Sequence, residues 1–521
     1  MYPSAVIIHC SLTPRTGKCR QEAEKISRFF HRNDLINLRV NEQPNEKTLK
    51  GLQMSSLSQK IAAAFSILLL SVCLPGCGNS ERTTNTDTAE STVTAETPTR
   101  TKNIIVMIGD GMGFNHYRAA SLFLYGEPEG QPYTAFPLRI AMSTYPATGQ
   151  YDPDTFWATF DAARQGATDS AAAATAMATG SKTYRYAVGV DAERRKLPNI
   201  VETAEASGRA TGIVTSVQFS HATPAGFGAH NPTRKNYEEI ARDLLTKSGL
   251  EVLMGSGHPW YDDSGQLRET PNSYSFIGGE STWDALLQGD MGNDCDKDGI
   301  IDPWTLIEER EAFRKLADGA TPKRVLGIAR VARTLQQKRG EAGEVSDKAF
   351  AQPFITSVPT LAEMSRGALN VLDNDPDGFF LMIEGGAIDW ASHANQTDRM
   401  IEEQVDFDRA VASVIKWVET HSSWQDTLLI VTADHECGFL NGAGPSTQWN
   451  PLVSKGILHQ PSVQWHSTGH TNALVPLFAK GAGTQLLREE VRPRPDPVRG
   501  PYLDNTSVGN VVMTLLAPKR H

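Results

Sequence analysis

The chain has 521 residues, 40% hydrophobic and 21% charged, with 43 Gly, 29 Pro and 6 Cys. That apolar share supports a sizeable core and excludes global disorder, a collagen-like repeat and a disulfide-stapled scaffold. A net charge of −10 argues against a nucleic-acid-binding surface.

In chain order, residues 1–76 hold 10 Lys and Arg against 5 Asp and Glu. Residues 61–74 (IAAAFSILLLSVCL) form an apolar run of 14 directly after Lys60. A membrane span needs about 20 residues, so the run suits the apolar region of a secretory signal better. Leu74-Pro75-Gly76-Cys77 follows and resembles the lipobox of bacterial lipoproteins, with Pro75 an uncommon residue there. A signal peptide over 54–76 and a lipid-bearing Cys77 are therefore expected, with Met54 as the start and 1–53 as a non-native extension. A buried core helix is the competing reading of the apolar run. Residues 77–100 are polar and Thr-rich, too poor in apolar surface to fold, and read as a disordered tether. The expected product is an exported cell-envelope protein, periplasmic or on the outer membrane, held to the membrane by a lipid anchor only. Of its cysteines, Cys295 and Cys437 form the one candidate pair besides the anchor.

From residue 101 to 521 a single catalytic domain is expected, with an insertion around 250–350. Residues 103–108 (NIIVMI), 210–216 (ATGIVTS), 378–383 (GFFLMI) and 427–432 (TLLIVT) read as short buried strands. Amphipathic helical stretches such as 399–420 lie between them. This alternation predicts an α/β fold: a large, mostly parallel central sheet with helices on both faces. Ligands of such sheets sit beyond the carboxyl ends of the strands.

Polar residues cluster at those ends. Asp110 follows the first strand in IGDGMG. It reads as a metal ligand whose glycines allow close backbone approach, or as a turn aspartate; the spacing does not match a dinucleotide loop. Residues 166–180 (GATDSAAAATAMATG) predict an Ala-rich helix with Asp169 or Ser170 at its N-terminus and Gly180 as its C-cap. Ser170 there is either a cap or a nucleophile, since a helix N-terminus favours anions. After the third strand, Asp389 and His393 are four apart, which puts both on one helical face. Asp434 and His435 follow the fourth strand, and His466 and His470 lie in a later loop. Two tetrahedral N/O metal sites need about this many ligands. Separately, Asp294, Asp296, Asp298 and Asp302 alternate around Gly299 like a calcium loop, but position twelve is Thr305 rather than Glu. Calcium and a solvated acidic loop both remain open there.

Taken together, IGDGMG, ATDSAAAATAMATG, EGGAIDWASH, TADHE and GHT resemble the alkaline phosphatases over essentially residues 101–521. The resemblance implies hydrolysis of phosphate monoesters through a phosphoserine at a two-zinc site. It implies Ser170 as nucleophile, Asp389, His393 and His470 as ligands of the first zinc, and Asp110, Asp434 and His435 as ligands of the second. Glu384 and Thr223 would hold a magnesium ion, with Asp110 bridging, and Arg234 would fork onto the phosphate. His470 is preferred to His466 because TNALVPLFA follows it. His221 and Trp390, which stand where the best-known enterobacterial members carry Asp and Lys, would tune the third site and phosphate release. A homodimer is likewise an implication of the resemblance. Three other readings stand beside this one. A sulfatase requires C-x-P-x-R, but Cys437 is followed by Gly-Phe-Leu. A phosphodiesterase of the same superfamily is disfavoured by Ser170, Thr223 and Glu384 together. A binding protein without turnover is disfavoured by Ser170 and Arg234.

Overall fold

Seven consecutive residues, Asn103–Gly109, are rich in Ile, Val and Met and buried on both faces, so they form the central strand β1. The computed structural model describes residues 101–340, 346, 348–444 and 449–517. The expected signal segment, Cys77 and the tether lie outside the described residues.

The main sheet is completed by β2 (Leu138–Ser143), β3 (Ala210–Gln218), β4 (Val252–Ser256), β5 (Thr305–Ile307), β6 (Val325–Ile328), β7 (Phe379–Gly385), β8 (Thr427–Thr432), β9 (Val475–Gly481) and β10 (Tyr502–Asp504). Their order is β10-β2-β9-β8-β1-β7-β3-β4-β6-β5. Only β9 runs antiparallel to its neighbours. The α/β expectation of a large, mostly parallel sheet is met. Three strands in the range 250–350 continue this sheet on one side. Among the described residues, no helix is long and apolar enough to cross a membrane.

The helices that matter for the site are α1 (Phe114–Tyr125), α2 (Ser170–Thr179), α3 (Ala222–Gly228), α4 (Ala387–His393), α5 (Thr397–His421) and α6 (Thr506–Leu516). Every residue of α2 is buried. Alanine is the best helix former, and its small side chain lets other backbones come close. A Cβ on Gly226 of α3 would lie 2.7 Å from Ala174 Cβ. A Cβ on Gly509 of α6 would lie 2.3 Å from the Gly180 nitrogen. The caps of α2 match expectation: Asp169 accepts from the Ala172 N–H, and Gly180 ends the helix in the left-handed region at φ 68°.

Beside β3, two partly buried carboxylates lie within reach of Thr211. Glu251 Oε2 accepts from the Thr211 N–H at 2.6 Å, and Glu205 Oε1 lies 3.4 Å from the Thr211 hydroxyl. Burial pushes Glu205 up to about 7 and Glu251 up to about 8, with the Glu205 carboxylate raising Glu251 further. The folded state therefore keeps protons that the unfolded chain releases above its ordinary carboxylate range. Stability from this pair is complete below that range and falls as pH rises towards 8. Glu251→Gln removes one of these titrations. Thermal melts should show a smaller loss of stability between pH 5 and 9 than in the parent protein. An unchanged pH slope would refute this.

Candidate metal and nucleophile site

The four central strands β8, β1, β7 and β3 all end at one edge, and most of the chemistry-bearing residues follow those ends. Asp110 comes directly after β1, and its N–H donates to Gly385 O at the end of β7. The turn beyond requires glycine: Gly111 sits at φ 74°, and a Cβ there would lie 2.9 Å from Asp389 Cα. Gly111 N–H donates to Asp434 Oδ1 at 3.1 Å, which couples the β1 turn to the β8 turn. Glu384 lies within β7 itself. Thr223 lies in the first turn of α3, and Asp389 and His393 lie on α4.

Ser170 begins α2, and its hydroxyl is 3.2 Å from His435 Nε2. His435 Nε2 is in turn 3.2 Å from Asp434 Oδ2 and 3.4 Å from Asp110 Oδ1. The first cluster surrounds Asp389, which is 3.4 Å from both His393 Nε2 and His470 Nε2. The rings of His435 and His470 stack with centroids 3.6 Å apart, so the two clusters adjoin. Asp110, Asp389 and His435 each turn a ligand atom into a group no wider than 4.8 Å, as do Asp389, His393, Cys437 and His470.

Two backbone carbonyls orient the imidazoles. His393 Nδ1 faces Thr468 O at 2.6 Å, and His470 Nδ1 faces Thr168 O at 2.8 Å. A carbonyl can only accept, so each Nδ1 carries a proton and each Nε2 is left for a cation. The two Nε2 atoms stand 3.0 Å apart. Both oxygens of Asp110, Oδ2 of Asp434, Oδ1 of Asp389, Oε1 of Glu384 and Oγ1 of Thr223 are buried without hydrogen-bond partners. Such a concentration of unpartnered buried acceptors is costly unless cations meet it. The donor set fits the implied metal ions: carboxylates and imidazoles suit zinc, and an all-oxygen trio of Asp110, Glu384 and Thr223 suits magnesium.

The electrostatics agree. Burial raises Asp110 well above the usual carboxylate range, and Asp434, Asp389 and Glu384 raise it further. Burial and Asp389 push Asp434 up to about 6, and burial lifts Glu384 to about 7. Burial opposes ionisation of Asp389, but the adjoining imidazoles of His470, His393 and His435 outweigh it and hold that carboxyl well below its ordinary value. Burial and the neighbouring His470 keep His435 neutral. Exposure differs sharply across the site: His435 and Asp434 are fully buried, whereas the His393 side chain is 42% exposed. The first cluster therefore opens to solvent.

Arg234 points its guanidinium at the start of α2, where Nη1 donates to Asp169 Oδ2 at 3.0 Å. Its Nη2 lies 3.4 Å from His221 Nε2. Partial burial and Arg234 hold His221 down at about 3, so it is neutral. Trp390 packs beside His221, with ring centroids 5.6 Å apart.

Some residues lie elsewhere. His466 packs its ring against Phe160 and Phe439, and belongs to neither ligand group. The Cys295–Cys437 pair does not form: both are buried free thiols, and Cys295 Sγ donates to Asp302 Oδ2 at 3.1 Å. Asp294, Asp296 and Asp302 do converge, but Asp298 is not in the group. Its carboxylate instead accepts from the Ile300 N–H at 2.8 Å. Lys323 Nζ is 2.7 Å from both Asp296 and Asp302, so an ammonium already neutralises much of this loop.

Sequence reasoning missed three neighbours. Asp169, read only as a cap, also anchors Arg234. Thr215 donates to Glu384 Oε2. Cys437 joins the first cluster; it stands two residues after His435, and strand periodicity at that spacing was the available signal.

A ten-stranded α/β sheet with paired cation-ready clusters against a helix-terminal serine defines a hydrolase of the metal-dependent phosphatase type. Residues 101–453 match the family model described as alkaline phosphatase. The chain is 30% identical over 404 residues to alkaline phosphatase 4 of Bacillus subtilis, covering 75% of this chain and 74% of that one. It is 32% identical over 357 residues to the alkaline phosphatase of Escherichia coli, covering 64% of this chain and 70% of that one. Among solved structures, TAB5 alkaline phosphatase, a mutant of which holds magnesium in its M3 site, superposes with a TM-score of 0.55 at 23% identity. That alignment covers 81% of this chain and all of the other. The chain belongs to the alkaline phosphatase family, whose members are phosphomonoesterases.

Proposed function

We propose that the protein hydrolyses phosphate monoesters through a phosphoserine on Ser170, at a site holding two zinc ions and one magnesium ion. The observation that carries this reading is the gathering of unpartnered carboxylate oxygens and imidazoles into two adjoining clusters, one of which meets the Ser170 hydroxyl through His435. Asp389, His393 and His470 would hold the first zinc. Asp110, Asp434 and His435 would hold the second, and Asp110, Glu384 and Thr223 the magnesium. When bound, these ions supply Lewis acidity, favouring ionisation of the serine hydroxyl and neutralising the departing oxygen.

The chain's own groups do the rest. The N-terminus of α2 favours an anion beside Ser170 through its dipole and free N–H groups. Asp169 fixes Arg234, whose planar fork binds two phosphate oxygens as lysine could not. Ser170 Oγ attacks phosphorus, the bond to the leaving oxygen breaks, and the alcohol departs with a proton. Water then attacks the phosphoserine, which releases inorganic phosphate and returns the proton to Ser170. The open face at His393 gives the leaving group and water a route.

Hydrolysis of an aryl phosphate and an aryl phosphodiester, with and without added zinc, tests the reading. The monoester should be turned over faster by orders of magnitude, and chelation should abolish the activity. A preference for the diester, or full activity after metal removal, would overturn it.

A further inference from the structure

Cys437 has no part in the function proposed above, yet its sulfur belongs to the first cluster. Asp389, His393, Cys437 and His470 each offer one atom to a group within 4.8 Å. The placement follows from backbone pairing. Cys437 lies directly opposite His470 in the short antiparallel ladder of Glu436–Cys437 with His470–Thr471. Directly opposed side chains leave a ribbon on the same face, about 5 Å apart at Cβ. The Cys437 N–H donates to Gly111 O at 3.1 Å, which ties this residue to the turn bearing Asp110. The thiol is fully buried and unbridged. Independently, Asp389 is 5% exposed, and its Oδ1 has no hydrogen-bond partner. Two imidazole Nε2 atoms with outward-fixed Nδ1 protons complete the group. One carboxylate, two imidazoles and a thiol form a four-donor set of the zinc type.

We propose that Cys437 is a fourth protein donor to the metal ion of the first site, binding through its sulfur as a thiolate. The inference rests on the two-metal reading above. On loading, the S–H bond breaks, its proton passes to solvent, and the sulfur lone pair forms the new bond, with no change in oxidation state. Zinc can accept a fifth donor, so sulfur does not bar substrate. A soft donor also biases this site towards zinc and away from magnesium.

Cobalt(II)-loaded protein provides the test, compared with Cys437→Ser and Cys437→Thr. The parent protein should show a near-ultraviolet thiolate-to-cobalt charge-transfer band that both variants lack. Visible cobalt bands from the remaining ligands should persist in the variants, and far-ultraviolet circular dichroism should confirm that they fold. Zinc affinity, measured by chelator competition, should fall about tenfold or more in both. Visible bands without a thiolate band in the parent, or a band and zinc affinity unchanged by both substitutions, would overturn the role of Cys437 alone. Failure of the parent to bind cobalt or zinc at all would instead remove the two-metal reading, and this inference with it.

Discussion

Ser170→Ala loses about a thousandfold or more in turnover while keeping its bound zinc and its affinity for phosphate. The reason is local. Ser170 Oγ is the one hydroxyl at the α2 N-terminus that lies 3.2 Å from His435 Nε2, and its removal leaves every proposed metal ligand in place. Alanine is also the best residue for the first turn of a helix already built from it, so the fold does not suffer. The parent protein, quenched in acid after brief exposure to labelled phosphate, should carry label on Ser170, and the variant none. Near-normal turnover in the variant, or label retained at another residue, would remove the proposed mechanism.

The second large effect separates two histidines four residues apart. His470→Ala takes away an imidazole whose Nδ1 is fixed by Thr168 O and whose Nε2 is 3.4 Å from Asp389. Zinc affinity at the first site should drop by at least about 100-fold, and activity at limiting zinc should fall with it. His466→Ala removes only a ring packed on Phe160 and Phe439. Its activity should stay within about threefold of the parent, as expected for a substitution that removes packing away from the ligands. Metal analysis after dialysis, read beside the kinetics, decides the matter. A severe His466 variant and a mild His470 variant would reassign the ligand.

The features legible in the sequence are those written in local periodicity. The strand at 103–108, the Ala-rich helix from Ser170 and the spacing of Asp389 and His393 each depend on neighbours within a few residues, and each was found near its expected bounds. The expected strand at 427–432 matches β8 end for end. What escaped depends on pairings far apart in the chain. Asp169 meets Arg234 across 65 positions, and Thr215 meets Glu384 across 169. Cys437 reaches its cluster only because a two-residue ladder sets it against His470. The antiparallel course of β9 was equally hidden, since direction within a sheet leaves no mark on a short apolar run. The Asp294 loop shows the same limit. Its spacing left calcium and a solvated acidic loop both open, and Lys323, 21 residues beyond Asp302, supplies positive charge that no local pattern could announce.

The glycines that face α2 have a mechanical consequence. Backbone presses on this helix from α3 at Gly226 and from α6 at Gly509, and its own side chains are mostly single methyl groups. A rod wedged between main chains has almost no rotamers through which to yield. The Ser170 oxygen, the proposed nucleophile, is thus anchored like a bearing in a rigid housing, and any gating of substrate must be sought in the solvent-facing rim instead.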